Sequence, residues 1–122
     1  MITIYHNPRC SKSRACNLML ENFGKKIHVI NYTKDLFTEQ TLAEVIRLLK
    51  IKPLELVLKQ EQEWKNNFKG KELSDEEVIK AMVKYPKLIE RPIVVNRNKA
   101  AIGRPMEAVQ AILQLNSIKK GL

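Results

Sequence analysis

The order in which apolar runs appear along this chain constrains its fold more than any other feature. Residues 2–5 read as a short strand, residues 11–23 as a helix, and residues 27–31 (Ile-His-Val-Ile-Asn) as a second strand. Strands joined by a helical crossover run parallel, because the long connection returns the chain to the same end of the sheet. Toward the other end, Ile93-Val94-Val95 is a β-branched strand, Asn96-Arg97-Asn98 is turn-like, and Ala100-Ala101-Ile102 can pair back on it. A hairpin this tight must be antiparallel. Together the halves predict an α/β protein whose mixed sheet of about four strands is covered by helices. A helical insertion from about residue 38 to 90 separates the βαβ half from the ββα half, within a single domain over residues 1–122.

The helices carry their own punctuation. In 11–23, Cys16, Met19, Leu20 and Phe23 form one buried stripe, and Gly24 sits where a helix takes its left-handed stop. Thr38 can cap a helix that turns Leu42, Val45, Ile46 and Leu49 to one side. Pro53 can start a short helix burying Leu54, Val57 and Leu58, whereas 60–72 is polar and loop-like or loosely helical around Trp64 and Phe68. Ser74-Asp75-Glu76-Glu77 is a capping box leading into Val78, Ala81, Met82 and Tyr85, with Pro86 ending that helix. Gly103-Arg104-Pro105 turns into a last helix that faces Met106, Val109, Ile112 and Leu113 inward.

Charge and cysteine usage narrow the function. The 122 residues carry a net charge of +9. Residues 1–37 hold six Lys/Arg against two acids and residues 91–122 six against one, while residues 38–90 hold ten of each. The basic excess therefore sits at both ends of the chain, as it would if the ends converged on an anion site. Lys25, Lys26, Lys119 and Lys120 read as solubilising surface charges. Basic blocks interleaved with aromatics are missing, so nucleic acid is an unfavoured partner. No run has the length of a membrane span and the start does not resemble a signal peptide, so a cytoplasmic location is expected. Two cysteines are too few for a disulfide scaffold, and the cysteines and histidines show no metal-ligand spacing.

Cys10 stands out, because it falls where the first strand turns into the first helix. Unpaired N–H groups at a helix start amount to roughly half a positive charge, and His6, Arg9 and Arg14 are close in sequence. This setting favours a thiolate and makes Cys10 the candidate nucleophile. Cys16 lies on the apolar stripe and reads as a structural thiol. Six helical residues span about 9 Å, beyond the roughly 7 Å limit for bridged Cα atoms. Ser13 occupies the position that would complete a Cys-x-x-Cys motif, so any redox cycle at Cys10 needs an external reductant.

Three segments taken together resemble a known family: Tyr5-His6-Asn7-Pro8-Arg9-Cys10-Ser11-Lys12-Ser13-Arg14, Leu88-Ile89-Glu90-Arg91-Pro92-Ile93-Val94-Val95 and Ile102-Gly103-Arg104-Pro105. They are similar, in the same order and over essentially the whole chain, to the glutaredoxin-dependent arsenate reductases, and more closely to their arsenate-reductase-like subgroup. The resemblance implies a thioredoxin-like fold. It implies Cys10 as the nucleophile attacking arsenate or a related oxyanion, and Arg91 and Arg104 as arginines that hold the oxyanion and stabilise the thiolate. His6, Ser13 and Arg14 fall in the supporting positions, with the Ser13 hydroxyl placed to bond the sulfur and Pro92 expected as a cis proline. It further implies glutathione as co-substrate, glutaredoxin as the partner that clears Cys10, and no bound cofactor.

The chain departs from the family at one point. The arginine of a Leu-Leu-Arg-Lys-like stretch corresponds to Leu58 in Leu56-Val57-Leu58-Lys59-Gln60. Lys59 is adjacent, but one residue along a helix rotates a side chain by about 100°. Losing one charged contact costs roughly 1.5–3 kcal/mol of binding. A second class of function uses the same fold: Spx-type regulators that bind RNA polymerase without turnover. Those carry Cys-x-x-Cys, and Ser13 argues against the redox-switched form.

Overall fold

The computed structural model describes residues 2–23, 26–103 and 107–113. Gly24, Lys25, Arg104, Pro105, Met106, Lys119 and Lys120, each given a role above, lie outside the described residues. The chain divides into two compact units, one made of the described residues up to Asn31 and from Arg91 onward, the other Tyr32–Glu90.

The first unit holds the sheet. Strand β1 (Ile2–His6) pairs in parallel with β2 (Ile27–Asn31) across helix α1 (Ser11–Asn22), and antiparallel with β3 (Ile93–Asn96). Strand β4 (Lys99–Ile102) pairs back on β3, giving the order β2-β1-β3-β4. This is the mixed four-stranded sheet expected from the element order. The hairpin turn is only Arg97-Asn98, since Asn96 pairs with Lys99, and Arg97 takes the left-handed φ of 60° that such a turn requires.

Alternation along β1 sends Ile2, Ile4 and His6 to one face. The two isoleucines join Cys16 and Leu20 of α1, Val94 of β3, Ala101 of β4 and Val109, Ile112 and Leu113 of the helical residues 107–113 in one core. Fully burying each large aliphatic side chain is worth about 1.5–3 kcal/mol, which fixes α1 against β1. Asn96, buried at the hairpin, donates its side-chain amide to the Ile112 carbonyl at 3.3 Å.

The second unit is helical. It runs from Tyr32, where Tyr32 and Phe37 are already buried with ring centroids 6.0 Å apart, and its helices begin at Thr38. Helix α2 (Glu39–Leu49) starts at Thr38, whose hydroxyl accepts from the Thr41 N–H, and buries Leu42, Val45 and Ile46. The segment after Pro53 differs from expectation. It is a single 3-10 turn, Pro53–Leu56, and Val57 leaves it in extended geometry to bridge with Ile89. Consequently Leu56, Val57 and Leu58 are buried, whereas Leu54 is exposed. A 3-10 turn repeats at three residues, so the helical spacing assumed for Leu54, Val57 and Leu58 does not apply.

Within 60–72 a short helix α3 (Gln62–Asn67) buries Trp64. Helix α4 (Asp75–Lys84) starts in the expected capping box, with Ser74 accepting from the Glu77 N–H and the Glu77 carboxylate accepting from the Ser74 N–H. A 3-10 turn at Pro86–Leu88 follows it.

Candidate active site

The site lies in the first unit, around the turn from β1 into α1. Asn7 shapes that turn: its carbonyl accepts from the Cys10 N–H and its side chain accepts from the Arg9 N–H, both at 3.0 Å. Cys10 is left as the N-cap of α1, with extended φ and ψ of −95° and 123°. An N-cap side chain faces the unpaired amides of the first helical turn. No cap hydrogen bond closes on the thiol, but the amides favour its charged form. Burial pushes the Cys10 thiol up, and the Ser13 N–H, the Arg91 side chain and the Lys12 N–H outweigh it. The net result holds Cys10 below the ordinary thiol range. Cys10 is also partly exposed, hence reachable.

Arg91 arrives from the chain entering β3, and the Arg91–Pro92 peptide is cis, as the resemblance implied. Among the described residues Arg91 is the side chain whose charge acts on the sulfur. The expected contribution of His6, Arg9 and Arg14 to the thiol takes a different form. The Arg14 guanidinium donates to the Pro8 carbonyl at 2.9 Å and so braces the turn. His6 is held below its ordinary value by burial first and by the Arg14 charge second, which favours a neutral imidazole.

Ser13 is fully buried and its hydroxyl joins three segments. It accepts from the Asn7 N–H at 2.9 Å and shares a 2.6 Å hydrogen bond with His6 Nδ1. A neutral imidazole balances this network when Ser13 donates to Nδ1 and the ring proton resides on Nε2. The hydroxyl is thus bonded to His6 and Asn7, and it is the Ser13 backbone N–H that faces the sulfur. The β-strand period explains the contact, because His6 follows Ile2 and Ile4 on the face that meets α1.

Sequence reasoning read Gly103 only as part of the turn into the last helix, and the structure adds a packing role. A Cβ there would lie 2.6 Å and 2.9 Å from Pro92 Cγ and Cδ and 3.4 Å from Cys16 Sγ, while the Gly103 N–H donates to the Pro92 carbonyl at 2.8 Å. Only glycine fits against the proline that carries Arg91. The available signal was a glycine ending a strand beside an Arg-Pro step. Cys16, beneath this contact, is fully buried and its thiol is pushed up to about 11 by burial. Among the described residues no cluster of His, Cys, Asp and Glu could hold a metal ion, and no helix is long and apolar enough to cross a membrane.

The ArsC family model matches residues 5–112. The chain belongs to the ArsC family. Among its ArsC-family relatives, the uncharacterised protein YfgD of Escherichia coli K12 is 43% identical, over 92% of this chain and 96% of that protein. The arsenate reductase of Haemophilus influenzae is 39% identical, over 92% of this chain and 98% of its own. The solved structure of an arsenate reductase from Vibrio cholerae superimposes with a TM-score of 0.84 at 37% identity, covering 89% of this chain and 95% of that one. The fold is therefore the thioredoxin-like arrangement of arsenate reductases, a mixed four-stranded sheet flanked by helices.

Proposed function

We propose that this ArsC-family chain is a cytoplasmic, thiol-dependent arsenate reductase with Cys10 as its nucleophile and Arg91 and Arg104 as oxyanion ligands. The observation that carries the reading is the placement of Cys10: a reachable thiol held below its ordinary range by first-turn amides and the Arg91 side chain. The same groups that favour a thiolate favour a tetrahedral oxyanion beside it, since both are anions facing N–H donors and a guanidinium. The named arsenate reductases among the relatives support arsenate as the oxyanion.

The reaction has three stages. Cys10 thiolate attacks arsenic(V), an S–As bond forms, and one arsenate oxygen leaves as water after taking up protons. A glutathione thiolate then attacks the Cys10 sulfur. The S–As bond breaks with its electron pair on arsenic, which departs as arsenite, and Cys10 is left in a mixed disulfide with glutathione. Finally a glutaredoxin thiol, with a further glutathione, reduces that disulfide by exchange and restores the Cys10 thiol. The two electrons gained by arsenic are those lost by two thiols.

Cys16 takes no part, because a buried thiol pushed up to about 11 supplies negligible thiolate. The test is arsenate-dependent NADPH oxidation coupled through glutathione, glutaredoxin and glutathione reductase. Turnover by the wild type and none by Cys10→Ser is expected. A wild type with reduced Cys10 and no turnover would exclude arsenate as the substrate.

A further inference from the structure

The helical unit Tyr32–Glu90 contains a cavity of about 250 Å³ that the chemistry at Cys10 does not use. Its apolar wall comes from Leu54, Trp64, Phe68, Leu73 and Val78. Trp64 and Phe68, one helical turn apart around α3, place their ring centroids 5.3 Å from each other in a tilted pair. Its charged lining is basic: Lys59, Lys69 and Lys71 all line it, and no Asp or Glu does. Among the described residues none of these three lysines is held in an ion pair.

The backbone explains why two of the lysines reach one opening. After α3 the Lys69 N–H donates to the Trp64 carbonyl at 3.0 Å and the Lys71 N–H to the Phe68 carbonyl at 3.1 Å. Gly70 between them takes a φ of +80°, and a Cβ there would meet nothing within 4 Å. The glycine thus serves the reversal of the chain and not a close contact. That reversal leaves Lys69 and Lys71 lining the same cavity as the aromatic pair.

We infer that this pocket binds a small organic anion, with a ring or short hydrocarbon body against Trp64 and Phe68 and a carboxylate among Lys59, Lys69 and Lys71. Both parts are needed. Exposed lysines are strongly hydrated point charges, so an inorganic anion gains little by meeting them alone. An uncharged apolar body gains from the wall but leaves the positive charge of the lining without a counter-charge. The volume lies just below the usual range for ligand pockets, roughly 300–1,000 Å³, and suits a ligand of one or two rings.

Trp64 is the only tryptophan of the chain, so its emission reports occupancy directly. The experiment titrates the intact protein with phenylbutyrate, with the uncharged phenylbutanol, and with inorganic phosphate, following Trp64 fluorescence. Phenylbutyrate should change the emission saturably and bind at least about fivefold more tightly than phenylbutanol, and phosphate should leave the emission unchanged. Lys69→Gln with Lys71→Gln should weaken phenylbutyrate about five- to tenfold, as expected for two exposed charges, and leave phenylbutanol within about twofold. Equal binding of acid and alcohol, unaltered by the lysine changes, would make this an apolar crevice only and overturn the inference. The absence of any saturable change in Trp64 emission would overturn it as well.

Discussion

Replacing Gly103 with alanine tests how the sheet positions the arginine beside Cys10. The new Cβ would stand 2.6 Å from Pro92 Cγ, whereas ordinary van der Waals contact begins near 3.4 Å, so the gap must open by about 0.8 Å. The backbone cannot simply swing away, since the Gly103 N–H is bonded to the Pro92 carbonyl at 2.8 Å, and the third neighbour is the buried Cys16 sulfur. Overpacking of this kind costs about 1–3 kcal/mol. At about 4 °C per kcal/mol for a domain of this size, Tm should fall by roughly 4–12 °C. Pro92 is the part that must move, and Arg91 is bonded to it, so the same change should weaken the Arg91 contact that favours the Cys10 thiolate. Urea unfolding measures the first effect, and the pH dependence of iodoacetamide alkylation at Cys10 measures the second. Stability within about 0.5 kcal/mol of wild type, the ordinary range for a neutral surface change, together with an unshifted alkylation profile would refute the reasoning.

Three further outcomes are expected. Arg91→Gln should move the Cys10 alkylation profile to higher pH, because a group that favours the thiolate is lost; an unchanged profile would assign the depression to the helix amides alone. Ser13→Ala removes the hydroxyl shared by His6 Nδ1 and the Asn7 N–H, and should cost about 1–3 kcal/mol in urea unfolding. Brief alkylation of the folded protein should label Cys10 and spare Cys16, which is fully buried with its thiol pushed up to about 11, and both should label in denaturant. Mass spectrometry of the peptides decides that case.

Much of the first unit was legible in the sequence because its signals are local. Apolar alternation in β1, the 3.6-residue stripe of α1 and the β-branched run of β3 each specify an element, and their order specifies parallel and antiparallel pairing. The capping residues Thr38 and Ser74 were legible for the same reason. The Pro53 segment was not, since a 3-10 turn and a helical turn share their first residues and diverge only at Val57, where a bridge to distant Ile89 takes over. At the site, Cys10 was legible from its place at a strand-to-helix turn. Arg91 as a source of its charge stabilisation was implied by the family resemblance and not by local pattern, because Arg91 is brought there by β1–β3 pairing and not by proximity along the chain. The partner of the Ser13 hydroxyl was not legible, since it depends on His6 sharing a sheet face with Ile2 and Ile4. The packing role of Gly103 was hidden most fully, since it is a contact that exists only once β4 has returned to Pro92.

The most direct measurement interrupts the proposed cycle before its last stage. The wild type is incubated with arsenate and glutathione in the absence of glutaredoxin, and its intact mass and peptides are recorded. One glutathione attached to Cys10, dependent on arsenate and absent from Cys10→Ser, is the expected result. A protein that stays unmodified while arsenite accumulates, or one that carries glutathione on Cys16, would contradict Cys10 as the reducing thiol.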